Sequence, residues 1–251
     1  MSAVPLSHQP GLKNDDWAQR AVAIDWPTTT EALHQQGNAV LPQLLSATEC
    51  AALARLYGNA DESTFRSRVV MQRHGFGQGE YRYFSYPLPG VVAGLREALY
   101  PHLAPIANQW NTAMGIDVRY PTRHADFIAR CHAAGQVRPT PLLLQYAAGD
   151  YNCLHQDLYG EHVFPLQVAV LLSEPGRDFT GGEFVLTEQR PRMQSRAEVV
   201  PLQRGDAVVF AVHHRPVQGT RGPYRVQMRH GVSRLRSGQR HTLGVIFHDA
   251  G

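Results

Sequence analysis

Residues 142–157, LLLQYAAGDYNCLHQD, contain His155 and Asp157, and His230 and Arg240 follow much later in the chain. Two imidazoles and one carboxylate form the ligand set that holds a non-haem Fe(II) ion on one face of an octahedron. Three protein ligands leave three positions open, enough for a chelating co-substrate and O2. The set therefore predicts oxygen chemistry and not a structural metal. Side chains two residues apart share a face on a strand and diverge on a helix. A site at His155 and Asp157 thus requires a strand there, and residues 141–146 read as the strand leading into it, with a turn at Gly149.

The chain has 13 histidines and a second His-x-Asp copy, His124-Ala125-Asp126. The apolar spacing of PTRHADFIARCHAAG around it is helical, so those two side chains would not converge on one ion. For the third ligand, His213 and His214 follow the strand-like GDAVVFAV, while His230, His241 and His248 come later. His230 is preferred because Arg240 lies ten positions on, at the start of an apolar strand expected to run antiparallel to the one holding His230. A planar guanidinium suits the distal carboxylate of a dicarboxylic co-substrate. His213 and His214 have Pro223 and Tyr224 at that offset, His241 would face away from Arg240, and His248 lies near the terminus.

The order His155-x-Asp157, His230, Arg240, with TGGEFVL after the pair and GDAVVF before the second histidine, resembles the Fe(II)- and 2-oxoglutarate-dependent dioxygenase superfamily, in particular its prolyl-hydroxylase-like branch. Residues 146–149 through 154–157 are closer to the AlkB-like dioxygenases that repair alkylated nucleic acid. Residues 138–250 are similar to a bacterial oxygenase family described as acting on damaged nucleic acid. The resemblance implies Fe(II), 2-oxoglutarate as co-substrate and O2 as oxidant, with Arg240 on the far carboxylate and Tyr146 beside it. It implies hydroxylation, or demethylation where the hydroxylated carbon sits on nitrogen. Damaged or modified nucleic acid is the favoured substrate. A protein side chain such as prolyl, or a small molecule, is the alternative. A catalytically silent jelly-roll binding module is a third reading, and the intact set of four residues argues against it. Substrate contacts are expected from residues 71–89, 188–196 and 213–225, where aromatics and arginines interleave.

The elements that must position these residues fall into two halves. Thr28-Thr29-Thr30-Glu31 and Ser46-Ala47-Thr48-Glu49 read as capping boxes, opening helices that stop at Gly37 and Gly58, with an edge strand over 38–45 between them. Residues 91–100 and 106–114 are helical, with breaks at Pro101 and Pro105. Residues 71–89 read as a surface loop or irregular strand pair folding over the site. From Pro141 the pattern changes to short β-rich runs at 166–172, 182–187, 197–202, 207–212 and 242–247, with turns between them. The expected class is α+β, a double-stranded β-helix (jelly-roll) core with N-terminal helices packed on one side. The divisions are an arm over 1–25, a helical part over 26–140 and the core over 141–251.

Composition adds limits. The 251 residues contain three cysteines, Cys50, Cys131 and Cys153, too few for a disulfide framework. Cys153 is expected to be a small buried strand residue. No apolar run approaches the ~20 residues of a membrane span, the start lacks signal-peptide character, and a cytoplasmic location is the simplest expectation. Net charge is +3, but residues 187–241 hold eleven arginines against Glu188, Glu198 and Asp206, an excess of eight. Such an excess attracts phosphate or an acidic substrate. Lys13 is the single lysine, so part of the excess reflects a general use of Arg.

Overall fold

A computed structural model describes residues 15–251. Fourteen strands form two antiparallel sheets, and five helices cover one of them. The eight-stranded sheet runs β1 (Asn38–Leu41), β11 (Ala207–Ala211), β7 (Leu166–Leu171), β14 (Leu235–Val245), β5 (Leu142–Ala147), β4 (Glu80–Phe84) and β2 (Phe65–Val70), with β8 (Phe179–Gly181) on β14. The six-stranded sheet runs β10 (Ser195–Val200), β9 (Phe184–Gln189), β13 (Gly222–Val232), β6 (Tyr151–His155) and β3 (Gly77–Gln78), with β12 (His214–Gly219) on β13.

Strands β7 and β11 are buried on both faces, and apart from Gln167 both are wholly apolar. Val168, Val170, Val209 and Ala211 point into a core shared with the helices. Their neighbours Ala169, Leu171, Val208 and Phe210 point into a second core between the sheets, with Phe184, Leu186 and Val232. Each fully buried side chain of this kind contributes about 1.5–3 kcal/mol. Helices α2 (Trp26–Gln36), α3 (Ala47–Asn59) and α4 (Gly90–Ala113) all touch strands of the eight-stranded sheet, and α2 and α4 also reach β12 at the edge of the other.

Several local expectations are corrected. The first capping box does not form. Asp25 is the N-cap of α2, accepting from the Thr28 amide at 3.1 Å, and Glu31 bonds Gln35 instead. Asp25 followed by Trp26-Pro27 places a proline in the first turn, where its missing N–H is harmless. The second box does form, with Ser46 and Glu49 satisfying each other's amides, though α3 runs one residue beyond Gly58. Pro101 and Pro105 do not break α4, which is continuous across both. Both prolines are exposed, so the carbonyls they leave unpaired face water, while Leu99, Tyr100, Leu103, Ile106 and Trp110 hold the opposite face in the core.

Part of the range assigned to an arm, 1–14, lies outside the described residues. The rest carries α1 (Asp15–Val22), whose Trp17 is buried. Residues 26–140 are not purely helical, since β1 to β4 join the two sheets. Residues 213–225 form most of the β12–β13 hairpin rather than a loop, and the last strand begins at Leu235, well before residue 242. The expected strand over 182–187 starts at Phe184. Among the described residues no helix is long and apolar enough to cross a membrane.

Candidate metal centre

The site is built by strands from opposing sheets. Chain leaving β5 turns through Gly149 into β6, and this turn is tied to the start of β14: Gly149 donates to the Leu235 carbonyl at 2.9 Å and Leu235 to the Asp150 carbonyl at 2.8 Å. Strand β6 then runs beside β13, where His155 and His230 are directly opposite each other. Gly231 lets the two strands close up, because a Cβ there would stand 2.7 Å from the Asn152 carbonyl oxygen. The imidazole centroids end 4.2 Å apart. Asp157, just past the end of β6, turns back between them, with Oδ1 3.5 Å from His155 Nε2 and Oδ2 3.3 Å from His230 Nε2. The three ligand atoms lie within 4.8 Å of one another, the one such cluster among the described residues.

Each group is fixed from behind. The His155 Nδ1–H donates to the Cys153 carbonyl at 2.8 Å, which turns Nε2 toward Asp157. The His230 ring packs on Phe210 and Phe184, and its Nδ1 is buried without a partner. The Tyr159 hydroxyl donates to Asp157 Oδ1 at 2.7 Å. Burial alone would raise the Asp157 pKa, but the bonds and charges of the two imidazoles hold it well below the ordinary carboxylate range. Burial, and next the neighbouring His155 charge, depress the His230 imidazole. Burial works the same way on His155, but there the Asp157 carboxylate prevails and raises its pKa. An ionised carboxylate between two imidazole nitrogens is a dication site in waiting, since a metal would displace the proton the histidines share with Asp157.

The same cavity, of about 210 Å³, is lined by Arg240, Tyr146 and Thr242 as well as by the three candidate ligands. Arg240 is 2% exposed, yet no carboxylate among the described residues pairs with it. Its Nη1 donates to Thr242 Oγ1 at 2.6 Å, its Nε has no partner, and burial lowers its pKa to about 10. An unpaired buried guanidinium costs free energy unless an anion meets it. Tyr146 is its direct cross-strand neighbour, with the guanidinium 5.6 Å from the ring centroid. Burial pushes the Tyr146 phenol up to about 12, which keeps it a hydrogen-bond donor. Strands β13 and β14 lie in opposite sheets, and the chain crosses between them at Ser233-Arg234, so Arg240 comes to the cavity from the sheet opposite the candidate ligand His230.

The other histidines fall elsewhere. His213 and His214 pack on each other, and His213 lines a different cleft. His241 bonds Gln145, on the face of β14 away from the cavity. The His248 Nδ1 accepts from the Phe164 amide. In the second His-x-Asp copy, on α5 (His124–Ala133), His124 is buried against the Phe247 carbonyl while Asp126 is exposed. Cys153 is exposed, not buried, because the register slips between His230 and Val232 and the outer face of β6 meets solvent. Sequence reasoning missed Tyr159, two positions beyond Asp157, and Gln167, buried on the cavity wall with an unpartnered amide oxygen. The Arg excess is partly structural: Arg190, Arg196 and Arg215 gather on Glu188, and Arg204 pairs with Glu174.

Residues 79–250 match the model of a family described as "Oxygenase, catalysing oxidative methylation of damaged DNA". The chain belongs to this oxygenase family. A protein of Mycobacterium tuberculosis, named as uncharacterized, is 43% identical over 231 residues, covering 92% of this chain and 93% of its own. Among solved structures, a 2OG-Fe(II) oxygenase family oxidoreductase from Burkholderia pseudomallei superposes with a TM-score of 0.53 at 16% identity, over 91% of this chain and 94% of that one. A Pseudomonas putida prolyl-4-hydroxylase gives 0.51 at 13% identity, over 90% of this chain and 100% of that one. The oxygenase is therefore an oxidoreductase built on the fold of the 2-oxoglutarate- and Fe(II)-dependent oxygenases. The His155, Asp157 and His230 cluster could hold one metal ion.

Proposed function

We propose that this oxygenase holds Fe(II) with His155, Asp157 and His230, binds the distal carboxylate of 2-oxoglutarate with Arg240, and oxidatively demethylates N-methylated nucleic acid. The observation that carries the cofactor reading is Arg240, a buried cation with no carboxylate, in the cavity that contains the three candidate ligands. The donor set fits a ferrous ion, being two neutral-capable imidazoles and one ionised carboxylate, with His155 donating to the Cys153 carbonyl and Asp157 accepting from the Tyr159 hydroxyl.

When bound, Fe(II) with 2-oxoglutarate and O2 supplies an oxidant strong enough to break an unactivated C–H bond. The protein's own groups bind and orient. Arg240, with Thr242 steadying its Nη1, grips the far carboxylate of the co-substrate and so fixes which end approaches the metal ligands. Tyr146 offers a phenolic donor beside it. Phe184, Phe210, Leu144 and Val232 line the wall and keep water from the reacting centre. Oxidation of an N-methyl group gives a hydroxymethyl amine, which releases formaldehyde and leaves the unmodified base. Net methylation would need a methyl donor that this chemistry lacks, so removal is the direction that balances.

Support for nucleic acid comes from the family description and from the arginine excess of residues 187–241, where Arg229 and Arg234 are exposed. The test offers the enzyme either a single-stranded oligonucleotide bearing N-methyl bases or a proline-rich peptide, with Fe(II), 2-oxoglutarate and O2. Formaldehyde and succinate released in equal amounts with the oligonucleotide are expected. Succinate formation stimulated by the peptide alone would overturn the substrate reading and leave the cofactor reading standing.

A further inference from the structure

At the lip of the cavity stands an aromatic side chain that the fold itself does not need. Phe76 is 47% exposed and belongs to none of the buried clusters, yet it lines the same cavity as His155 and Asp157. It sits in the strap Gly75-Phe76-Gly77-Gln78-Gly79, where all three glycines have positive φ. At Gly77, with φ +126°, a Cβ would lie 2.4 Å from the Tyr151 carbonyl oxygen; at Gly79, with φ +115°, it would lie 2.9 Å from the Tyr146 ring. Only glycine lets the backbone lie this close to β6 at Gly77 and to β5 at Gly79, and each such glycine adds entropy that folding must remove. In return the strap pairs with β6 at Gly77–Asn152 and Gln78–Tyr151, and the Phe76 carbonyl accepts from the Cys153 amide at 2.9 Å. The ring is thus held on a stiff backbone two residues from the level of His155. Among the described residues its one ring partner is exposed His74, stacked at 5.4 Å and 23°.

A rigid, half-open aromatic face at the mouth of a catalytic cavity suits a flat π-system. Cations flank it: Arg73 is exposed beside His74, and Arg234 lies over the ring of Tyr151, which pairs with the strap. A flat ring attached to a polyanionic backbone meets both features at once, whereas a peptide would use the aromatic alone. We propose that Phe76 is a specificity-determining residue on which a nucleobase of the substrate stacks as it enters the cavity. This rests on the nucleic-acid reading of the substrate.

The test compares two single-stranded oligonucleotides of one sequence, the first carrying one N-methylated adenine and the second an abasic position in its place. Binding is measured by anisotropy with Mn(II) and 2-oxoglutarate under nitrogen, for the full-length chain and its Phe76→Ala and Phe76→Trp variants, after circular dichroism shows all three folded. The wild type is expected to prefer the base-bearing strand by about 10-fold or more, from the usual strength of base–aromatic stacking. Phe76→Ala should lose that preference and Phe76→Trp should keep it, with the salt dependence of binding unchanged in both. Preference retained in Phe76→Ala overturns the role of Phe76 while leaving nucleic acid as the substrate. Failure of the wild type to bind either strand, or binding of a proline-rich peptide instead, overturns the substrate reading and this inference with it.

Discussion

Replacing Arg240 with Met separates what the residue does for folding from what it does for binding. Burial draws the guanidinium pKa from its ordinary value down to about 10. At about 1.4 kcal/mol per pH unit, that is a penalty of about 3 kcal/mol for holding the charge without an anion. Methionine has a similar length and no charge. Against the relief stands the lost bond to Thr242, worth about 1 kcal/mol. The ligand-free variant should therefore be more stable than the wild type by about 2 kcal/mol, a rise in melting temperature of roughly 4–8 °C for a chain of this size. The same change removes the charge-assisted pair to the co-substrate. A loss of about 3 kcal/mol corresponds to roughly 100-fold weaker 2-oxoglutarate binding. Thermal melting with and without 2-oxoglutarate, in the presence of Mn(II) and absence of O2, reads both effects. Wild type should gain stability with 2-oxoglutarate while Arg240→Met starts higher and gains nothing. A variant that melts lower than wild type and still responds to 2-oxoglutarate would refute the reasoning, because Arg240 would then be a structural cation.

Tyr159→Phe removes the donor to Asp157 Oδ1 and should weaken Mn(II) or Co(II) binding about 10- to 100-fold in a metal titration, while the metal-free protein melts nearly as before. Burial depresses the imidazoles of His124 and His248 to about 4, so the folded state resists protonating them. Their contribution to stability is full above the unfolded value of about 6.5 and is lost as pH falls toward 4, by up to about 3 kcal/mol each; urea titrations at pH 7 and pH 4.5 read this. Ser46→Ala breaks the one capping box that forms and should cost about 1 kcal/mol in the same urea assay, with 2-oxoglutarate affinity unchanged.

What could be read in advance was whatever depended on local chemistry. The i, i+2 spacing of His155 and Asp157 was read as one strand carrying both, but β6 ends at His155 and Asp157 reaches the site because the chain turns back beyond it. His230 was chosen for its distance from Arg240, and the two do line one cavity. The strands carrying them belong to opposite sheets and do not pair. That relation depends on Ser233-Arg234 crossing between sheets, which no periodicity reveals. Pro101 and Pro105 misled for a similar reason. Local rules forbid them in a helix interior, but the apolar face of α4 is long enough for tertiary packing to override two exposed unpaired carbonyls. Cys153 came out exposed because a slip of register changes which side chains face solvent. Tyr159 lay in plain view two positions after Asp157, but its role required knowing that the chain turns back on the carboxylate beyond β6.

The central claim is that His155, Asp157 and His230 hold the iron on which 2-oxoglutarate is consumed. The most direct test measures succinate formed from 2-oxoglutarate with Fe(II) and O2, without added substrate, in the wild type and in His230→Ala. Slow succinate release by the wild type, abolished in the variant, is the predicted result. Release at the same rate in both proteins would contradict the assignment of His230, and an absence of Fe(II)-dependent 2-oxoglutarate binding in the wild type would contradict the account as a whole.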